Sequence, residues 1–229
     1  MTRRALIASL SVFLFAANTS AQDSPNDGPS QSRAYLVKLV DALKNDDSFK
    51  VRLQAAVLLG RSGEDSAVDP LIESLNTDEH YTVRAASATA LANLDEPKAI
   101  PHIIKRMAVD TDDFVREEAT RALDKYERDE ALPYVVASYD GFETADSVKV
   151  RRVAVVYLTD EDVGPEGERV LERALGDKSE VAEVASGYLL SLEDRERALS
   201  VLNDAIRDKE PTVRRGAVEV LEQMNTKES

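Results

Sequence analysis

The stretch VRLQAAVLL (51–59) returns along the chain as VRAASATAL (83–91), VREEATRAL (115–123), VRRVAVVYL (150–158), VAEVASGYL (181–189) and VRRGAVEVL (213–221). The steps between copies are 32, 32, 35, 31 and 32 residues. With the opening valine as position 0, positions 0, 4, 7 and 8 carry Val51, Ala55, Leu58 and Leu59, then Val83, Ser87, Ala90 and Leu91, and so on to Val213, Ala217, Val220 and Leu221. That spacing is one face of an α-helix. A small residue at position 4 lets a second helix approach closely.

A second apolar phrase precedes each copy. AVDPLIESL (67–75), AIPHIIKRM (99–107) and ALPYVVASY (131–139) place Pro70, Pro101 and Pro133 in what the pattern predicts to be a first helical turn, where a missing amide donor costs least. RAYLVKLVDAL (33–43), ERVLERAL (168–175) and ALSVLNDAI (198–206) take the same place without proline. Short polar turns separate the two helices, and aspartates in them, such as Asp78 and Asp208, are expected to cap the second helix. One such pair cannot bury its apolar face alone, whereas six stacked pairs form a continuous core. The fold class is therefore all-α, an α-solenoid of about six helix-turn-helix repeats over residues 33–223.

The run Pro-Leu-Ile-x-x-Leu, then Asp, then Val-Arg-x-x-Ala-Ala-x-x-Leu resembles the short HEAT-like repeat of the phycobilisome-lyase type. The resemblance spans residues 33–223. It implies that the arginine after each valine pairs with turn aspartates in a ladder along the stack. Here those arginines are Arg52, Arg84, Arg116, Arg151 and Arg214, and Ala182 should interrupt the row. Relatives with this repeat include bilin lyases and a di-iron hydroxylase. The hydroxylase uses repeated His-Glu pairs, but this chain has two histidines, His80 and His102, neither followed by glutamate. The resemblance thus implies the fold and not the activity.

The ends read differently from the repeats. Arg3 and Arg4 precede a nearly unbroken apolar run from Ala5 to Ala17, closed by Thr19-Ser20-Ala21. This is the pattern of a cleaved secretory signal over residues 1–21. It is too short for a bilayer span, which needs about 20 apolar residues. Residues 22–32 are rich in Ser, Pro, Asp, Asn and Gly and are expected to be a disordered leader, with 224–229 a flexible tail. The predicted location is outside the cytoplasm, in the periplasm if the source is bacterial and otherwise secreted.

The formal charge is −14 and the arginines are spread along the repeats. An acidic chain without a basic patch disfavours nucleic acid and anionic membranes as partners. Cysteine is absent, which removes disulfides, thiolate nucleophiles and thiolate metal sites together. The acidic groups Asp110–Asp113 and Asp160–Asp162 lack the glutamate that a twelve-residue calcium loop requires, and they read as solvated turns. No phosphate-binding glycine loop, nucleophile elbow or triad can be drawn. No cofactor, no metal and no catalytic residue is assigned.

In a solenoid the second helices line the concave side. Positions 2, 6 and 9 of each phrase point away from the apolar stripe, giving Leu53, Val57 and Gly60, then Ala85, Thr89 and Ala92. Glu117, Arg121, Arg152 and Val156 continue the row. The candidate partner-binding residues are Leu53, Val57, Ala85, Thr89, Glu117, Arg121, Arg152 and Val156. The function read from these features is an exported, non-catalytic scaffold or adaptor that binds a protein or peptide on its concave face. The alternatives are a lyase-like or enzyme-accessory module acting on a bound cofactor, and a purely structural envelope component. The lengthened turn from Tyr139 to Ser147, with Phe142 beside Gly141, is a second candidate contact, though both rings can equally tuck into the core.

Overall fold

A computed structural model describes residues 29–141, 147–159 and 163–226. The expected signal 1–21, residues 22–28 of the leader, Phe142, Asp160–Asp162 and residues 227–229 lie outside the described residues.

Twelve α-helices and two short 3₁₀ turns make up the regular structure among the described residues. The first helices of the pairs are α1 (Pro29–Asn45), α3 (Val68–Thr77), α5 (Ile100–Val109), α7 (Arg128–Asp140), α9 (Gly164–Ala174) and α11 (Arg195–Ala205). The second helices are α2 (Phe49–Leu59), α4 (Tyr81–Leu94), α6 (Asp113–Leu123), α8 (Ser147–Leu158), α10 (Ser179–Ser191) and α12 (Pro211–Thr226). Each first helix packs on its own partner and on the first helix of the next pair, from α1 and α3 through to α9 and α11. The second helices stack likewise as α2, α4 and α6, and again as α8, α10 and α12.

The predicted stripe is the core. Val83, Val115, Val150, Val181 and Val213 are all buried, as are Leu59, Leu91, Leu123, Leu158 and Leu189. Leu221 is only partly buried, and Val51 is 41% exposed. It belongs to the first pair, and among the described residues no earlier helix pair stacks against it. Two boundaries differ from expectation. α1 opens at Pro29, inside the stretch read as leader, and α12 runs to Thr226, with Met224 buried against the last pair.

Pro133 also departs from the expected first turn. α3 and α5 are each preceded by a 3₁₀ turn, Asp65–Ala67 and Pro97–Ala99, so Pro70 and Pro101 fall at the start of their helices. In α7 the equivalent turn has joined the helix, which begins at Arg128 and carries Pro133 in its interior. The ring removes one amide donor there, leaving the carbonyl four residues earlier without its intrahelical bond.

At the junction of the third and fourth pairs the second-helix row shifts, and α8 packs on α5 as well as on α7. This is where the sequence step lengthens to 35 residues. The twelve helices therefore stack as two runs of three pairs, joined at this junction.

Candidate protein-binding surface

Turn aspartates and second-helix arginines form the ladder that runs beside the stack. Arg52 donates from Nε and Nη2 to the Asp78 carboxylate at 2.8 and 3.0 Å, and from Nη1 to the carbonyls of Asp46 and Asp47. Arg84 repeats this on Asp110 at 2.9 and 2.7 Å, with Nη1 on the carbonyls of Asp78 and Glu79. Arg151 holds Asp177 at 2.6 and 2.8 Å. In every rung the carboxylate lies 26 residues beyond its arginine.

Among the described residues the ladder fails at Ala182, as expected, and also at Arg116. Twenty-six residues past Arg116 stands Phe142, not an aspartate. Arg116 keeps the carbonyl half of the motif, donating to the Asp110 carbonyl at 2.6 Å, and turns to Asp113 on its own helix. The second run of helix pairs begins at this same junction. Arg214 ends the row on the carbonyls of Asp208 and Lys209.

These contacts correct two sequence expectations. Asp78 and Asp110 are rungs, while the helix caps fall to other residues: His80 accepts from the Thr82 amide and Asp112 from the Phe114 amide. Asp110 is only 4% exposed and is not a solvated turn residue. Burial alone would raise its pKa, but the Arg84 guanidinium and the Asp112 amide outweigh that and hold it below the usual carboxylate range.

The two histidines have separate structural roles. His80 stacks on Phe49, with ring centroids 3.7 Å apart, and on Tyr81. His102 Nδ1 lies 2.9 Å from the Asn76 amide nitrogen. Desolvation, with Lys105 and Arg106 nearby, pushes the His102 pKa down and so favours the neutral ring. Among the described residues no group of three His, Asp or Glu side chains is placed to hold a metal ion.

The second helices α2, α4 and α6 enclose an open groove of about 550 Å³. Leu53 and Val57 form one wall, Ala85, Ala86 and Ala90 the floor, and Thr89 and Phe114 the far side. The small side chains follow from packing. Gly60 at the end of α2 lies so close to α4 that a Cβ there would stand 2.5 Å from the Ala90 Cβ. Close helix contact requires small residues on α4, and small residues leave the surface above them hollow.

Four of the predicted contact residues, Leu53, Val57, Ala85 and Thr89, thus come together in one concavity. Ala85 is corrected from a contact side chain to the floor, since it is 2% exposed beneath its neighbours. Gly60 and Ala92 are buried as well and offer no surface. Glu117 and Arg121 are exposed on α6 beside the groove, where Arg121 bridges to Glu117 and Glu118, and Glu118 accepts from the Thr89 hydroxyl at 3.2 Å. Arg152 and Val156 are exposed on α8 and do not line the groove.

The reading from sequence missed an aromatic row that reaches the groove at Phe114. Phe49, His80, Tyr81 and Phe114 touch in series across three repeats, Tyr81 meeting Phe114 edge-on at 6.2 Å. Tyr81 and Phe114 are nearly half exposed. The available signal was the aromatic residue one or two places before the valine in each of the first three phrases. In the lengthened turn, Tyr139 is buried, with its hydroxyl donating to Asp177 at 2.9 Å, so it is a core residue and not a contact.

Comparison with known proteins agrees with the repeat architecture. Residues 36–124 match the family model of HEAT repeats. No curated protein matches the chain. Among solved structures the chain is similar to the complex of CpcE and CpcF of phycocyanin lyase from Nostoc, at 19% identity and a TM-score of 0.35, over 82% of this chain and 99% of that one. It is also similar to human deoxyhypusine hydroxylase in complex with glycerol, at 16% identity and a TM-score of 0.31, over 87% of this chain and 92% of that one. At these scores neither likeness bears on the chemistry of this chain. The match to HEAT repeats over residues 36–124 agrees with the helix pairs and their 32-residue period, an all-α solenoid of HEAT-like repeats.

Proposed function

We propose that the protein is a non-catalytic scaffold that holds a segment of another protein in the groove between α2, α4 and α6. The observation that carries this reading is the groove itself: an apolar concavity of about 550 Å³ on the second-helix side, lined by exposed Phe114, which Tyr81 meets edge-on. Exposed aromatic rings beside a small-residue floor supply rigid contact area at low entropic cost. The occupant is a partner segment that inserts an apolar side chain over Ala85 and Ala90 while its backbone meets the polar Thr89, Asn93 and Glu118. Its partner acts outside the cytoplasm, a placement supported by the basic and apolar start of the sequence. The roles of His80, His102, Asp110 and Asp177 in caps, pairs and rungs support a structural rather than catalytic use of the titratable side chains.

The test is a photo-crosslinking amino acid at Val57, compared with one at exposed Glu183 on α10, with capture repeated in a Leu53→Glu/Val57→Glu variant. A partner crosslinked from position 57, absent from position 183 and lost in the double variant supports the reading. Equal capture by the double variant, with helicity unchanged, overturns it.

A further inference from the structure

The break in the arginine ladder at Ala182 leaves the acceptors of one rung without their arginine. In an intact rung the guanidinium bonds three acceptor groups: the carboxylate 26 residues ahead and the carbonyls six and five residues behind. Arg52 uses Asp78 with the Asp46 and Asp47 carbonyls, and Arg84 uses Asp110 with the Asp78 and Glu79 carbonyls. Counted from Ala182, the same three acceptors are the Asp208 carboxylate and the carbonyls of Gly176 and Asp177. Those three residues line one open cavity of about 520 Å³.

Neighbouring side chains do not replace the missing arginine. Among the described residues, Asp208 accepts the Glu210 amide at 2.7 Å and bridges to no basic side chain. Arg173, which lines the same cavity, feels the Asp208 charge but makes its hydrogen bonds elsewhere: both its terminal nitrogens bond Asp140, and it lies 5.0 Å over the Tyr139 ring. The Asp177 carboxylate already serves Arg151 and the Tyr139 hydroxyl. Glu210 adds a second carboxylate to the wall and Lys209 an opposing charge.

We propose that this cavity takes the side chain of an arginine from a partner chain, bound as the ladder's own arginines are bound, with Asp208 as its anion and the Gly176 and Asp177 carbonyls as its further acceptors. The planar fork of the guanidinium satisfies a carboxylate and two carbonyls together, whereas an ammonium offers no such geometry. The net charge of −14 favours approach of a basic segment. The site lies on the turn side of the fifth and sixth pairs and is separate from the groove on α2, α4 and α6, so it stands whether or not that groove binds.

Backbone amide shifts of the isotope-labelled protein report on it directly. The probes are a capped five-residue peptide with one central arginine, the same peptide with lysine, and ethylguanidinium, each titrated into the millimolar range. The arginine peptide is expected to shift the Asp177, Lys178 and Glu210 amides saturably, at least tenfold more tightly than the lysine peptide. Asp208→Asn is expected to weaken it tenfold or more. Ala182→Arg, which supplies the missing side chain from within, is expected to abolish the shifts and raise the unfolding temperature. Its gain in stability shows that loss of binding is not loss of fold. Equal response to the lysine peptide, or undiminished binding by Ala182→Arg, overturns the proposal. Response to ethylguanidinium without response to the arginine peptide overturns the assignment to a partner chain.

Discussion

Arg84 and Asp110, 26 residues apart, meet through two parallel hydrogen bonds of 2.9 and 2.7 Å, with the carboxylate 1% and the guanidinium 12% exposed. The pair joins the second pair of helices to the turn of the third, and the same Arg84 ties down the carbonyls of the turn before it. A guanidinium removed from this position leaves a buried carboxylate with only Arg106 Nη1, at 3.4 Å, as a cationic neighbour. Breaking a buried pair from one side costs about 3–5 kcal/mol. Arg84→Met is therefore expected to lower unfolding free energy by about 3 kcal/mol in urea titration. Arg84→Met/Asp110→Asn should recover part of that loss, because the second change removes the stranded charge. A double variant as unstable as the sum of the singles would contradict the pairing.

Acid should loosen the fold in two separate windows. Burial would raise Asp110 and Asp177, but their arginine partners and amide donors outweigh it, so both are held below the ordinary carboxylate value. The unfolded chain then binds protons first, and this stability is present above about pH 3.9 and lost as pH falls through the depressed folded values. His102 is pushed down by desolvation and by Lys105 and Arg106. Its contribution is complete above about pH 6.5, the unfolded value, and declines as pH falls below it. The melting temperature followed from pH 8 to 3 should show a shallow decline beginning near pH 6.5 and a steeper one below pH 4. His102→Gln should remove the first decline and leave the second.

At the alkaline end two tyrosines should lag. Desolvation raises Tyr126, helped by Asp95 and Glu96, and raises Tyr139, helped by Asp177, so both ionise well above the ordinary phenol range. Their neutral forms are favoured in the fold, and the associated stability is complete below about pH 10 and lost as pH rises beyond it. Of the seven tyrosines, a spectrophotometric titration of the folded protein should show two missing from the transition near pH 10. Tyr139→Phe should remove one of them and cost about 1 kcal/mol through the lost bond to Asp177. Full titration of all seven in one step, with helicity intact, would refute this burial.

Much of this was legible in the sequence because a repeat states each contact several times. The valine and leucine positions of the phrases, Val51 and Leu221 at the two ends apart, fell in the core because their period fixed the buried face whatever the neighbouring residues were. The break at Ala182 was legible for the same reason, since an absence shows only against a row. The break after Arg116 was not. It depends on what stands 26 residues on, and that place falls on Phe142 in the lengthened turn. Surface was harder still. Outward angle alone put Ala85 on the exterior, whereas Gly60 draws α2 so close to α4 that Ala85 became a floor. The aromatic row escaped because its members shift by one place between repeats, Phe49 and Tyr81 two before the valine and Phe114 one before it.

That close approach gives the last prediction. A Cβ on Gly60 would meet the Ala90 Cβ at 2.5 Å and the Ala90 Cα at 2.6 Å. Gly60 has φ −66° and ψ −15°, an ordinary right-handed conformation. Its requirement for glycine is therefore one of space, not of backbone freedom. Gly60→Ala must push α2 from α4, and overpacking of this kind costs about 1–3 kcal/mol. Because the obstructing atoms include the Ala90 backbone, Gly60→Ala/Ala90→Gly should recover only part of the loss, and the glycine added within α4 carries its own cost of about 1 kcal/mol. The same displacement widens the hollow between Val57 and Ala90, so Gly60→Ala should also weaken any partner held there while leaving the Asp208 cavity, five repeats away, unchanged. Thermal unfolding together with amide shifts around Ala85 and Glu210 separates the two effects. A fully stable Gly60→Ala with unshifted amides near Ala85 would show that the helices are not in contact at this point.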